Sequence, residues 1–236
     1  VVVAPTSTPG PSPSPTATAT PGPTRIPRPA YLPALRNETC VTRRQHVDVA
    51  LVIDTSGSML AGAAGGGTKL DAAVVAAREF LDLLALEADP TGQDAAAIVA
   101  FNSQPAIVAA LSHIRPRLRQ ALGALPQAPG TRIDLGLGAA GDALAPELRT
   151  PENVPVAVLL TDGRPTGVGA EGVRSAAAAV RSAGVVIYGI GLGPDVDPDL
   201  LAAITADQRR VVVAPEAEDL AAIYRHIARE LPCVVP

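Results

Sequence analysis

The chain has 236 residues, 47% hydrophobic, 18% charged and only 2% aromatic, with a net charge of −4. That apolar share fills one sizeable core, built from Ala, Val, Leu and Ile because Trp is absent. Residues 1–46 carry Arg25, Arg28, Arg36, Arg43 and Arg44 against Glu38, which leaves −8 on the remainder; with Lys69 as the only lysine and no basic helix face, nucleic acid is excluded as a partner of the folded part.

The first element in chain order is not part of that core. Pro5 to Pro33 is a Pro/Thr/Ser tract with Pro at 9, 11, 13, 15, 21, 23, 27 and 29. Pro removes backbone donors and favours polyproline II, so residues 1–36 are expected to form an extended or disordered linker, and 37–236 a single folded domain. The chain opens at Val1 without Met or an apolar leader, and is read as a piece of a longer protein whose signal peptide lies outside it. No uninterrupted apolar stretch is long enough to span a bilayer, so this segment is not expected to insert in a membrane. Cys40 and Cys233 bracket everything with a folding pattern. A bond between them would staple the domain ends, worth roughly 5 kcal/mol by loop entropy, and with the linker it points to an oxidising, extracellular or cell-surface location.

From Cys40 onward strand and helix patterns alternate. Val47–Ile53 is a short β-branched run fit for a buried parallel strand. Thr68 to Leu86 has apolar residues at helical spacing, and Thr68 with Asp71 matches a capping box. Ala95–Phe101 and Ala106–Leu111 read as strands joined by a hairpin turn at 102–105. Helices follow at 114–124 and 132–145, then strand Val154–Leu160, helix 170–183, strand Val185–Ile190, helix 198–205, strand Val211–Val213 and helix 216–231. The expected fold is α/β and doubly wound: a mostly parallel six-stranded sheet with one antiparallel edge strand and helices on both faces. In such sheets ligands sit outside the carboxyl ends of the strands.

Two candidates lie at such ends and a third opens a helix. Asp54-Thr55-Ser56-Gly57-Ser58-Met59 follows the first strand, and its hard oxygen donors Asp54, Ser56 and Ser58 suit a small divalent cation, most naturally Mg²⁺. Thr161-Asp162-Gly163 follows the fourth strand. Gly130-Thr131 opens a helix containing Asp134, where the T-x-x-D spacing also reads as a capping box. Alone, each is equally a turn, a cap or, for Asp54, a catalytic aspartate.

Together, D-x-S-x-S, a Thr 77 positions beyond Asp54, and T-D-G whose Asp lies 31 beyond Thr131 resemble the von Willebrand factor type A domain, an arrangement shared with integrin inserted domains. The resemblance covers about residues 47–231. Asp48–Asp54 looks like the family's first strand, Lys69-Leu70 with Phe80-Leu81 like its first helix, and Gly189–Gly193 with Asp197 and Leu200-Leu201 like its later strand and loop. It implies a metal-ion-dependent adhesion site in which Ser56 and Ser58 bind the cation directly, Thr131 directly or through water, and Asp54 and Asp162 mostly through water. The cation would be Mg²⁺, with Mn²⁺ or Ca²⁺ as alternatives, and its open position would take an Asp or Glu carboxylate of a partner protein. The isolated domain is expected to be monomeric.

Two departures from the family pattern stand out. Pro129-Gly130 precedes Thr131 where two glycines are common, and Gly65-Gly66-Gly67 lengthens the loop beside the site, suggesting mobility. The surrounding loops, 60–68, 102–105, 126–130 and 163–170, carry few charges beyond Arg164.

Enzyme readings find little support. An aspartyl-phosphate enzyme would need a second acid at position 56, where Ser stands, or a Lys-Thr-Gly-Thr run. No G-x-S-x-G elbow exists, and His46, His113 and His226 lack a Ser or Cys partner. The expectation is a non-enzymatic, metal-dependent protein-binding module. The rivals are an assembly domain of a surface appendage and, more remotely, a metal-dependent phosphohydrolase or an intracellular partner of a ring ATPase.

Overall fold

The structure, a computed structural model, describes residues 46–86 and 93–231. The expected linker and the Cys40–Cys233 bond lie outside the described residues. Among those described, no helix is long and apolar enough to cross a membrane.

Six strands form one sheet in the order β3-β2-β1-β4-β5-β6. They are β1 (Val47–Asp54), β2 (Ala95–Phe101), β3 (Pro105–Ser112), β4 (Val154–Thr161), β5 (Val186–Leu192) and β6 (Val211–Ala214). β1 pairs in parallel with both β2 and β4, β4 with β5, and β5 with β6, while β3 runs antiparallel to β2 at the edge. All residues of β1 and β4 are buried. This is why they read as continuous apolar runs instead of alternating ones: helices cover both faces.

Six α-helices supply that cover: α1 (Lys69–Leu83), α2 (Arg115–Leu122), α3 (Ile133–Ala143), α4 (Gly169–Ser182), α5 (Pro198–Thr205) and α6 (Leu220–Glu230). Alternate residues of β1 divide between the two layers. Val49, Leu51 and Ile53 pack with α1, α2 and α6, and Ala50 and Val52 with α3, α4 and α5. Among the described residues the few aromatics are buried: Phe80 and Tyr224 meet edge to face, centroids 5.5 Å apart, joining α1 to α6. Small residues permit close approach elsewhere. A Cβ on Gly136 of α3 would lie 2.8 Å from the Phe101 ring of β2, so only glycine lets this helix rest on the sheet.

The expected strand and helix order is the observed one. The first turn predicted for the last helix differs: residues 217–219 form a short 3₁₀ turn, and α6 starts at Leu220. At the amino end of the sheet, buried Asp48 accepts from Thr150 N–H and Asn153 Nδ2, and Asp94 from Val47 N–H and Ala85 N–H. These acids anchor loops. The carboxyl end, where the strand order reverses between β1 and β4, is the place a doubly wound sheet offers a ligand.

Candidate metal centre

Ile53 of β1 lies opposite Leu160 of β4, so the residues that follow, Asp54 and Thr161, leave the sheet side by side. The Thr161 hydroxyl donates to Asp54 Oδ2 at 2.6 Å, and the Ser56 backbone N–H donates to Asp54 Oδ1 at 2.9 Å. The loop then enters a 3₁₀ turn, Gly57–Leu60, whose buried Met59 plugs into the α1 layer. That anchor turns Ser58 back toward β4: its hydroxyl donates to Asp162 Oδ1 at 2.6 Å and lies 3.0 Å from Ser56 Oγ. Asp54, Ser56, Ser58 and Asp162 are thus joined in one hydrogen-bonded cluster. Asp54, Ser56 and Asp162 are buried, whereas Ser58 is exposed at the mouth.

Thr131 comes from a third loop. Its N–H donates to Thr166 Oγ1 at 2.9 Å and its carbonyl accepts from Thr166 N–H at 2.9 Å, which ties this loop to the one after Asp162. With both backbone groups engaged, the hydroxyl is the polar group Thr131 has left to offer. No side chain bonds directly between Thr131 and the other four residues among the described contacts; the link runs through Thr166. The turn before Thr131 is set by Gly130 at φ +95°, where a Cβ would also crowd Ser103 to 3.3 Å.

The capping box expected for Thr131 and Asp134 is not formed. The helix cap falls on Arg132, with no side-chain hydrogen bond, and α3 begins at Ile133. Asp134 is instead held by the Arg132 guanidinium, Nε at 2.9 Å and Nη2 at 2.6 Å, and that pairing holds its carboxyl below the usual range. A bidentate guanidinium outcompetes a neutral hydroxyl, and Thr131 is drawn away by Thr166. The capping box at Thr68 and Asp71 does form. The triglycine run, expected to be mobile, makes a hydrogen-bonded turn: Gly66 N–H donates to Ala63 O and Ala63 N–H to Gly67 O, so Gly62 and Thr68 pair and deliver Lys69 to the start of α1.

Thr55, Asn102, Thr166 and Lys69 escape motif reading. Thr55 donates to Phe101 O and accepts from Asn102 Nδ2, tying the loop to the end of β2. Thr166 clamps Thr131. Lys69 Nζ reaches Asp162 Oδ2 at 2.8 Å, where the Asp162 side chain is 0% exposed. Thr68-Lys69 was legible only as a helix start; nothing in local spacing links Lys69 to an acid 93 positions away.

The electrostatics distinguish the two acids. Asp162 has an ammonium beside it. Asp54 has hydroxyl and amide donors but forms no ion pair among the described residues. Burial pushes its carboxyl up to about 6, more than the hydrogen bonds from Thr161 and Ser56 lower it, and the charge of Asp162 raises it further. A desolvated carboxylate beside a second one, with Ser and Thr hydroxyls converging, is a set of hard oxygen donors that a small divalent cation would neutralise. No three His, Cys, Asp or Glu gather as a metal-ligand group among the described residues, so a cation here would rely on hydroxyls.

A sequence profile of the von Willebrand factor type A domain matches residues 48–226. No curated protein matches the chain. Among solved structures, proximal thread matrix protein 1 from the mussel byssus, with its metal-ion-dependent adhesion site (MIDAS) motif occupied by zinc, superposes at TM-score 0.70 and 16% identity over 80% of this chain and 48% of that one. The von Willebrand factor domain of the type V pili tip protein Mfa5 from Porphyromonas gingivalis gives TM-score 0.69 at 16% identity, covering 81% of this chain and 97% of that one. The pilus adhesin SpaC from Lactobacillus rhamnosus GG gives 0.66 at 18%, covering 80% and 30%. The chain thus spans about half the length of the mussel protein. With the six-stranded sheet and its single antiparallel edge, the matched profile establishes that this chain belongs to the von Willebrand factor type A domain family.

Proposed function

We propose that the domain is an extracellular, metal-dependent protein-binding module whose cation site is formed by Asp54, Ser56, Ser58, Thr131 and Asp162. The observation that carries this is the convergence, where the strand order reverses, of two buried carboxylates and the Ser56 and Ser58 hydroxyls, with burial raising Asp54 to about 6. Ser56, Ser58 and Thr131 would hold the ion with neutral oxygens, and Asp54 and Asp162 would balance its charge. Bound there, Mg²⁺ would supply a Lewis-acidic position for an Asp or Glu carboxylate of a partner protein; Mn²⁺, Ca²⁺ or Zn²⁺ suit the same donors less selectively.

The residues around the site do the positioning. Met59 and the Thr55–Asn102 contact fix the serine loop, Thr166 fixes Thr131, and buried Thr161 orients Asp54. Exposed Arg164 and the 102–105 and 163–170 loops form the rim that a partner would touch. Support for a surface role comes from the kinds of protein that share the fold, pilus tip proteins, a pilus adhesin and a byssus matrix protein. These also include matrix and appendage components, so a role in assembly is the second reading.

A pull-down from native cell-surface or matrix extract, with Mg²⁺ or with excess chelator and with Asp54→Ala as control, tests the proposal. Capture that requires both Mg²⁺ and Asp54 is expected. Capture insensitive to chelator and to Asp54→Ala would remove the metal-dependent reading and favour assembly.

A further inference from the structure

The only lysine of the chain stands at the first position of α1, where the positive end of the helix dipole disfavours a cation. It is nevertheless held there. Lys69 N–H donates to Ala61 O at 3.0 Å, the capping box of Thr68 and Asp71 fixes the turn, and the glycine-rich loop folds back so that Thr68 pairs with Gly62. Its side chain is 22% exposed and its Nζ contacts Asp162 Oδ2 at 2.8 Å, while Ser58 occupies Asp162 Oδ1. The chain has thus placed a permanent positive charge against one of the two acids of the candidate metal centre.

We infer that Lys69 sets the charge of the site, weakening its hold on a divalent cation and strengthening the grip of the cation-loaded site on an anionic carboxylate. This rests on the metal-site reading above. Asp54, Asp162 and Lys69 together carry a formal charge of −1. A divalent cation brings that to +1, whereas without the lysine the loaded site would be neutral. A neutral site holds its cation well and has little attraction for a second anion; a site at +1 gives up part of the first for the second. Unit charges a few ångströms apart at a partly exposed site shift an equilibrium by roughly tenfold. A purely structural lysine, holding Asp162 in place, has the opposite signature: its loss would loosen the cation.

The test compares wild type with Lys69→Met and Lys69→Arg. Mg²⁺ binding is measured by calorimetry, and binding of glutarate, as a plain carboxylate probe, by chemical-shift titration in saturating Mg²⁺. Lys69→Met is expected to bind Mg²⁺ about tenfold tighter and glutarate about tenfold more weakly, with Lys69→Arg close to wild type in both. Melting in chelator adds a readout independent of ligand: Lys69→Met should melt below wild type, because Asp162 loses its counter-charge, and recover with Mg²⁺. Mg²⁺ affinity unchanged or reduced in Lys69→Met overturns it while leaving the metal site intact. Wild type that binds no Mg²⁺ at all overturns both.

Discussion

Replacing Asp54 by Asn should invert the order of stability between chelator and Mg²⁺. Asp54 is 0% exposed, and burial raises its carboxyl from 3.8 to about 6. A group whose folded value is raised contributes stability below its unfolded value and loses that contribution as pH rises through the folded one. Above pH 6 the folded chain therefore carries an ionised group at a cost of about 3 kcal/mol relative to the protonated form. Asn keeps the geometry: its Oδ1 can accept from Ser56 N–H and its Nδ2 can donate to the Thr161 hydroxyl, contacts now at 2.9 and 2.6 Å. In chelator at about pH 7.5 the Asn variant should be the more stable by about 3 kcal/mol, or about 9 °C in Tm for a domain of this size. Near pH 5, where Asp54 is mostly protonated in the folded chain but still ionised in the unfolded one, the gap should fall to about half, and it should close as pH drops below about 4. In Mg²⁺ at about a thousandfold excess over Kd the order reverses, because wild type gains about 4.1 kcal/mol and the variant, lacking a carboxylate, gains little. Thermal melts of both proteins, with chelator and with Mg²⁺ at the two pH values, read this directly. An Asn variant less stable than wild type in chelator, or one stabilised equally by Mg²⁺, would refute the reasoning.

Three further outcomes are expected. Gly136→Ala should cost about 1–3 kcal/mol in urea unfolding, since its Cβ would meet the Phe101 ring at 2.8 Å; unchanged stability would mean that α3 rides freely over the sheet. Tyr224→Phe should leave stability level or raise it by about 1 kcal/mol, because the Tyr224 hydroxyl is buried with no partner among the described residues. A loss would show that the hydroxyl is satisfied in solution. Thr166→Val should weaken Mg²⁺ binding by roughly tenfold with little change in melting in chelator, since it removes the acceptor that fixes Thr131. Undiminished binding would mean that Thr131 holds its place without that clamp.

The inner strands β1, β2, β4 and β5 were legible because each is buried on both faces and so leaves a continuous apolar run; Val47–Asp54 and Val154–Thr161 could scarcely be anything else. Their carboxyl ends followed from the alternation with helices, and that put Asp54 and Asp162 at the ligand-binding edge of the sheet, while the family resemblance joined them in one site. Thr131 was harder. Its local spacing to Asp134 pointed to a helix cap, and only the family resemblance pointed to a cation. The structure shows why the local signal misled: Arg132 captures Asp134 and Thr166 captures Thr131. Lys69, Thr166 and Asn102 were illegible because each acts across a long sequence separation, and a single polar residue in a loop has no period to announce it. The start of α6 shifted for a smaller reason, since Glu216 and Asp219 close a box around a 3₁₀ turn and hold the chain back from α-helix until Leu220.

Anomalous scattering from crystals grown with Mn²⁺ would show whether one divalent cation is held among Asp54, Ser56, Ser58, Thr131 and Asp162. A single strong peak bounded by the Ser56, Ser58 and Thr131 hydroxyls, and lost in Asp54→Ala crystals, is the result expected. Anomalous density elsewhere on the surface, with none between β1 and β4, would contradict it.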